Sequence, residues 1–415
     1  VADHQSARER RRALDGQRRL REDLAGQERD RQRAQPQDGQ PRRAGPPRRA
    51  AVQRPRWNLD LASAEAELLF HQGDLAAASA LATACRNEIA NAGAVPTIVA
   101  IRIDNVLGKI AWQMGRYEAA LSRFQVNLAR AEESGDGVEK VRALTNLATV
   151  QIQRENYLRA EDLLKAAVRE ADACGDVAGL AVAHLNLAAL HHRTWDYGRA
   201  IDAYERAVAL LRQVGRRVYF ARALCNYADL LATLGDATRA VTLAEEAVET
   251  ARGAGDKHVL GISLGYLGSA KANLGQAGAA EHLEEAIQLC RETNSARQTL
   301  QFLVRLVEVR AASFEIGEAR RLLAELAEEA SRTTVAAAPE IAIWRRLLSA
   351  AVDETSGASR REACEDAIRL AEATNDREAL IRAHRLVGSL ARLESDWDTA
   401  ERHALAAENI VGKMR

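Results

Sequence analysis

The stretch HLNLAALHHRTWDYGRA, from His184 to Ala200, gathers three of the chain's nine histidines beside an aspartate and two aromatic residues. A zinc site or a general base is the chemistry such a cluster would serve, and the spacing opposes both. Seven helical residues put His184 and His191 about 10 Å apart, whereas the ligands of one zinc lie about 2 Å from it. His192 and Asp196 are spaced i, i+4, but Asp196 falls in a turn whose equivalents are Asp236 and Asp396. No metal site is expected.

Other chemistries fare no better. GISLGYLGSAK (261–271) is rich in glycine but lacks the G-x-x-x-x-G-K-[ST] spacing of a phosphate loop and follows no strand, so its glycines suit close helix approach. The pairs Glu132-Glu133, Glu245-Glu246 and Glu328-Glu329 fall on outward-facing helices and read as solvated, since paired carboxylates working as acid and base need a shared cleft. Five cysteines without a C-x-x-C pair argue against a disulfide framework and for a reducing compartment. No apolar run reaches the roughly 18 residues of a membrane span, and residues 1–57 contain no apolar signal core. The expectation is a cytoplasmic protein that is not an enzyme and needs no cofactor.

What positions these residues follows from composition. A chain of 415 residues exceeds one compact core, and 47% apolar residues with only 4% aromatics favour helices packed closely on alanine. Residues 1–57 differ: they hold 16 arginines against 8 acidic residues, leaving 42 basic against 50 acidic for the rest of a chain whose formal net charge is zero. Five of the seven prolines also lie there, with few branched aliphatics, so this segment cannot bury enough apolar surface to offset ordering. It reads as a largely disordered Arg/Gln/Pro-rich tail, with a frayed helix over residues 5–33.

From residue 58 to 413 a period of 40 residues governs the sequence. Leu107-Gly108, Leu147-Ala148, Leu187-Ala188, Tyr227-Ala228 and Leu267-Gly268 form one series, and Val387-Gly388 falls on its lattice. Ala120, Ala160, Ala200, Ala240 and Ala280 form a second; Gly135, Gly175, Gly215 and Gly255 form a third. Each unit reads as two helices separated by breakers such as MGRY, TWDY and TLGD, with glycines as C-caps and aspartates as N-caps of the following helix. The small residue of the first helix and the alanine of the second meet where the helices cross. Tyr117, Tyr157, Tyr197 and Trp397 open the second helix and are expected to fill the wedge.

On these features, R-Y-E-A-A-L-S-R-F (116–124) and D-Y-G-R-A-I-D-A-Y (196–204) above all, the chain resembles the tetratricopeptide-repeat family, in the long 40–42 residue form of bacterial signalling regulators and kinesin light chains. It departs from the pattern in lacking the proline that ends the second helix, in a shift of about two residues near 295–333, and in Leu347-Leu348 where a small residue is expected. The resemblance implies an all-α, right-handed superhelical solenoid of about nine antiparallel helix pairs.

It also implies that the first helices line a concave groove that holds ligands. At the sixth position of those helices stand Asn146, Asn186 and Asn226, flanked by Val106 and Tyr266. Arg102, Arg142 and Arg222 occupy the second position, Lys109 and Asp229 the ninth, and Arg193 the thirteenth. Asparagine offers a donor and an acceptor to a peptide amide, while the cations suit acidic side chains or a free carboxylate. Three neutral and two charged hydrogen bonds would contribute roughly 7 kcal/mol before ordering costs, consistent with micromolar recognition. The expected function is a protein- or peptide-binding scaffold or sensor. Two alternatives stand beside it: a regulatory array of a larger bacterial signalling protein (kinase, ATPase or transcription regulator), with the chain continuing after ENIVGKMR, and nucleic-acid binding by the arginine-rich arm. Oligomeric state and partner identity are left open by the sequence.

Overall fold

The computed structural model describes residues 59–91, 97–332, 339–352, 357–374, 376–393 and 395–414. The expectations for the N-terminal 57 residues lie outside this range. Eighteen helices, and no strand, are present among the described residues. They form nine consecutive pairs, beginning with α1 (Leu59–His71) and α2 (Leu75–Asn91), α3 (Thr97–Gln113) and α4 (Tyr117–Ser134), and α5 (Gly137–Gln153) and α6 (Tyr157–Cys174). The central pairs are α7 (Val177–Arg193) and α8 (Tyr197–Val214), α9 (Arg217–Thr233) and α10 (Ala237–Ala254), and α11 (Lys257–Asn273) and α12 (Ala279–Glu292). The last three are α13 (Ala296–Ala312) and α14 (Ile316–Ser331), α15 (Pro339–Val352) and α16 (Gly357–Ala373), and α17 (Arg377–Leu393) and α18 (Trp397–Met414). Each helix packs on its partner and on the next pair, giving a right-handed superhelical solenoid.

Helix ends follow the local chemistry. Gly135, Gly175, Gly215 and Gly255 close α4, α6, α8 and α10 in the left-handed region, with φ between 69° and 72°, where a side chain would be strained. Asp136, Asp176 and Asp256 then cap α5, α7 and α11, each carboxylate accepting the backbone N–H three residues on. Asp196 and Asp236 do the same for α8 and α10. The aspartate beside the histidines is therefore a helix cap.

The small-residue lattice forms the crossing points: Ala148 and Ala160, Ala188 and Ala200, and Ala228 and Ala240 are all buried. The sixth pair departs by one residue. Its turn contains two glycines at positive φ, Gly275 and Gly278, so α12 starts late and buries Ala279, leaving Ala280 half-buried. Tyr197 is fully buried and Tyr117 and Tyr157 are partly so, but Trp397 is 66% exposed, because no further pair covers α18 among the described residues. Leu347 and Leu348 are both fully buried, filling with bulk a crossing that other pairs make with small residues.

Curvature brings distant pairs together. A Cβ on Gly73, in the α1–α2 turn, would lie 4.0 Å from Thr293 Cα after α12. Arg385 of α17 donates to the Thr233 carbonyl at the end of α9, at 3.3 Å. The array thus curves back on itself, and the space inside the curve is the channel.

Glycine at two places separates packing from propensity. A Cβ on Gly268 would sit 2.8 Å from the Ala279 carbonyl oxygen, whereas on Gly253 its nearest neighbour is an arginine tip at 3.8 Å. Gly268→Ala is expected to destabilise the chain by about 1–3 kcal/mol through overpacking, and Gly253→Ala to stabilise it by about 0.5–1 kcal/mol. Urea denaturation of both variants measures the contrast; shifts of the same sign would contradict it.

Candidate functional site

The channel wall is built by the second, sixth and ninth positions of successive first helices. Residues four and seven apart share a helix face, so Arg142, Asn146 and Thr149 of α5, Val182, Asn186 and Ala189 of α7, and Arg222, Asn226 and Asp229 of α9 rise in three parallel columns. All nine are half-buried, as residues lining a groove should be.

The columns differ in how far the chain satisfies them. Asn146 donates from Nδ2 to Oδ1 of buried Asn105 on α3, at 2.5 Å. Arg142 donates to Glu139 at 2.6 Å, one turn earlier on the same helix. Burial outweighs the Arg142 charge at Glu139 and holds its carboxyl above the usual carboxylate range. Arg102 and Lys109 on α3 meet Asp60 and Glu67 of α1, at 3.4 and 3.0 Å. Burial pushes Glu67 up, but the Lys109 charge and hydrogen bond, helped by His71 and Arg142, outweigh it and leave the carboxyl below its ordinary value. Burial lowers the pKa of His71, and Lys109 and Arg222 add to it.

Further along the array the polar groups are less committed. Asn186 has no protein hydrogen-bond partner among the described residues, and Asn226 receives only a weak thiol contact from Cys225, at 3.7 Å. Arg222 lies over the Tyr219 ring at 5.3 Å and has no carboxylate partner among the described residues. Arg193 donates to the Tyr157 hydroxyl at 3.3 Å. Among the eight sequence-predicted residues, the free hydrogen-bonding capacity concentrates on Asn186, Arg222 and Asn226.

Sequence reasoning missed Asp60, Glu67 and Asn105, because these partners stand 41 or 42 residues away and off the lattice positions that carry the asparagines. It also missed a cleft of about 930 Å³ between the α9–α10 turn at Leu234 and the last pair, lined by His384, Arg385, Trp397 and Glu401. There His384 and His403 face each other, Nδ1 to Nδ1, at 2.9 Å. As for the opening histidines, His191 is buried, and His192 meets Tyr197 edge to face with ring centroids 5.5 Å apart. His184 is half-buried at the place where other pairs have leucine. Among the described residues no group of three or more His, Cys, Asp or Glu could hold a metal ion. None of their helices is long and apolar enough to cross a membrane.

Residues 99–173 and 179–253 match a family model described as tetratricopeptide repeat, and residues 262–309 match one described as anaphase-promoting complex subunit 5. No curated protein matches the chain. Several solved structures share the architecture. A Rap protein complexed with competence and sporulation factor is 14% identical, with a TM-score of 0.61 over 86% of this chain and 99% of that one. The apo quorum sensor NprR from B. thuringiensis is 14% identical, with a TM-score of 0.55 over 85% of this chain and 98% of that one. A signal transduction ATPase with numerous domains from Pyrococcus horikoshii, which carries a tetratricopeptide repeat sensor, is 17% identical, with a TM-score of 0.53. That match covers 77% of this chain and 49% of that one.

Burial lowers the pKa of His184, with Arg206 adding to it, and of His191, with Arg199 adding to it. Both are harder to protonate in the fold than in the unfolded chain, which takes up protons near the ordinary value of about 6.5. Their contribution is thus present above that pH and is lost as pH falls through the folded values. His184→Leu, which restores the residue of the equivalent positions, is expected to raise the urea midpoint more at pH 5 than at pH 7. An equal rise at both would show that the fold does not hold the histidine's pKa down.

Proposed function

As a member of the tetratricopeptide-repeat family, this chain is, we propose, a non-catalytic sensor that holds an extended peptide or protein segment in the channel of its first helices. The observation that carries this reading is the set of half-buried, uncommitted polar groups at one lattice position and its neighbour: Asn186, Asn226 and Arg222. An asparagine amide matches a peptide group with one donor and one acceptor, and an arginine fork matches a carboxylate. A Rap protein that shares the architecture is complexed with competence and sporulation factor, which supports a peptide or protein partner for this chain.

Magnitudes sharpen the reading. With Arg142 and Asn146 already engaged, the remaining two asparagines and one arginine supply roughly 4 kcal/mol, which alone corresponds to about millimolar binding. Tighter binding requires apolar contact as well, which Tyr219, Tyr266 and the pair Val182 and Ala189 beside Asn186 can supply. An acidic residue in the partner would compete with Asp60 and Glu67 for Arg102 and Lys109. A second reading, the sensor region of a larger signalling protein, is favoured by the similarity to the ATPase, whose length is about twice the matched part. Sequencing the reading frame on both sides of this chain separates the two.

Peptides selected on the full chain from a displayed random library provide the probe. Asn186→Ala and Asn226→Ala are each expected to weaken them about fivefold, from the loss of about 1 kcal/mol per hydrogen bond, with circular dichroism unchanged. Unchanged affinity in the double variant would remove the channel assignment. Glu67→Gln, which frees Lys109, is expected to strengthen selected peptides that contain acidic residues and leave neutral ones unaffected; a uniform effect on both would show that α1 does not compete.

A further inference from the structure

Besides His184, a further rung breaks the aliphatic pattern, and it does so with a charge. Where Leu144, Leu224 and Leu264 are buried in other pairs, α3 has Asp104, whose side chain is 2% exposed. Three arginines converge on it. Arg123 Nη1 donates to Oδ1 at 2.9 Å and Arg130 Nη1 to Oδ2 at 2.7 Å, both from α4, and Arg86 Nη1 of α2 donates to Oδ1. The equivalents of Arg123 are Leu163, Ala203 and Leu243, and those of Arg130 are Glu170, Leu210 and Thr250. Asn127 stands between the two arginines and is buried; its Nδ2 donates to the Ile101 carbonyl at 3.0 Å and fixes α4 against α3.

One guanidinium would balance one buried carboxylate. With three, and no other carboxylate paired with them among the described residues, the cluster carries a net charge of +2. Like charges gathered on one anchor repel each other, so the arrangement opposes folding beyond what its neighbours require. It also leaves capacity. Each guanidinium has five N–H donors, one nitrogen of each is committed to Asp104, and the three side chains are 39%, 36% and 28% exposed. Asp104 draws the forks together from beneath and leaves their remaining edges for an acceptor arriving from solvent.

We propose that Arg86, Arg123 and Arg130 bind a phosphate monoester on the surface between α2 and α4. Such a group carries a charge of about −1.5 to −2 at neutral pH, which matches the excess, and arginine recognises its oxygens through paired N–H bonds. A chloride ion or a single carboxylate would leave part of that charge and most of those donors unused. The site is on the second-helix side of the array and is independent of the channel, so it stands whether or not a peptide binds there.

Isothermal titration of the full chain at constant ionic strength, with chloride as balancing anion, tests this. The probes are inorganic phosphate, a phosphoserine-containing tetrapeptide and adenosine monophosphate. One saturable site is expected, weakened at least tenfold in Arg123→Gln and in Arg86→Gln, which lie on different helix pairs. Arg130→Lys, which keeps the charge but not the fork, is expected to weaken phosphate severalfold with helicity and thermal midpoint unchanged, and serves where a glutamine variant loses its fold. Tighter binding of the tetrapeptide assigns the phosphate to a modified side chain, and tighter binding of the nucleotide assigns it to a free metabolite; either order supports the site. No saturable phosphate binding by the unmodified chain, or full affinity in a folded arginine variant, would overturn it.

Discussion

The crossing of two helices at small residues is the contact on which the rest of this molecule depends. A glycine or alanine on the first helix meets an alanine on the second, and the backbones approach as closely as Gly268 and the Ala279 carbonyl show. Bulk at that point would wedge the pair open, and the opening would be repeated at each unit. Because each pair packs mainly on its neighbours along the array, a small fixed rotation per unit accumulates into curvature. That curvature decides which side chains meet across the channel, and those meetings decide what the channel can bind.

The polar groups of the inner wall have been settled unevenly. Toward the N-terminal side, α1 and α3 supply carboxylates and an asparagine that satisfy Arg102, Lys109 and Asn146. In the middle of the array Asn186, Arg222 and Asn226 are left half-buried and uncommitted. A polar group in that condition has lost part of its water without gaining a protein partner, which costs free energy in the empty state and is recovered when a ligand supplies the missing bond. Packing alone would favour an apolar side chain there, as at Val182 and Ala189. Asp104 is a second departure from packing, a buried charge where Leu144, Leu224 and Leu264 stand in other pairs.

Much of the architecture was legible in the sequence because its causes are local and repeat. The 40-residue lattice reveals the crossings, and the glycine and aspartate positions reveal the caps, since each depends on residues within one turn. The conspicuous histidines take packing positions, His191 buried and His184 half-buried at a leucine position. What escaped depends on relations the lattice does not contain. The Glu67–Lys109 pair joins different positions of two repeats, and the approach of Gly73 to Thr293 depends on the accumulated angle of five units. The late start of α12 comes from a second glycine in one turn, and the exposure of Trp397 from the absence of a covering pair among the described residues. Free side chains and engaged ones look alike in a sequence, so the asparagine ladder was visible there but its division into satisfied and unsatisfied members was not.

The central claim is that accumulated curvature closes the first helices around a narrow channel. The distance between spin labels at Gln72→Cys and Asn294→Cys, in a chain whose exposed Cys174 is replaced by serine, tests it most directly. Uncurved stacking at about 10 Å per pair would separate those turns by roughly 50 Å. The account predicts one narrow distribution at the short limit of the method, as the contact of Gly73 with Thr293 requires. A broad distribution centred near the uncurved value would show that the two walls do not face each other, and the channel would cease to be a binding site.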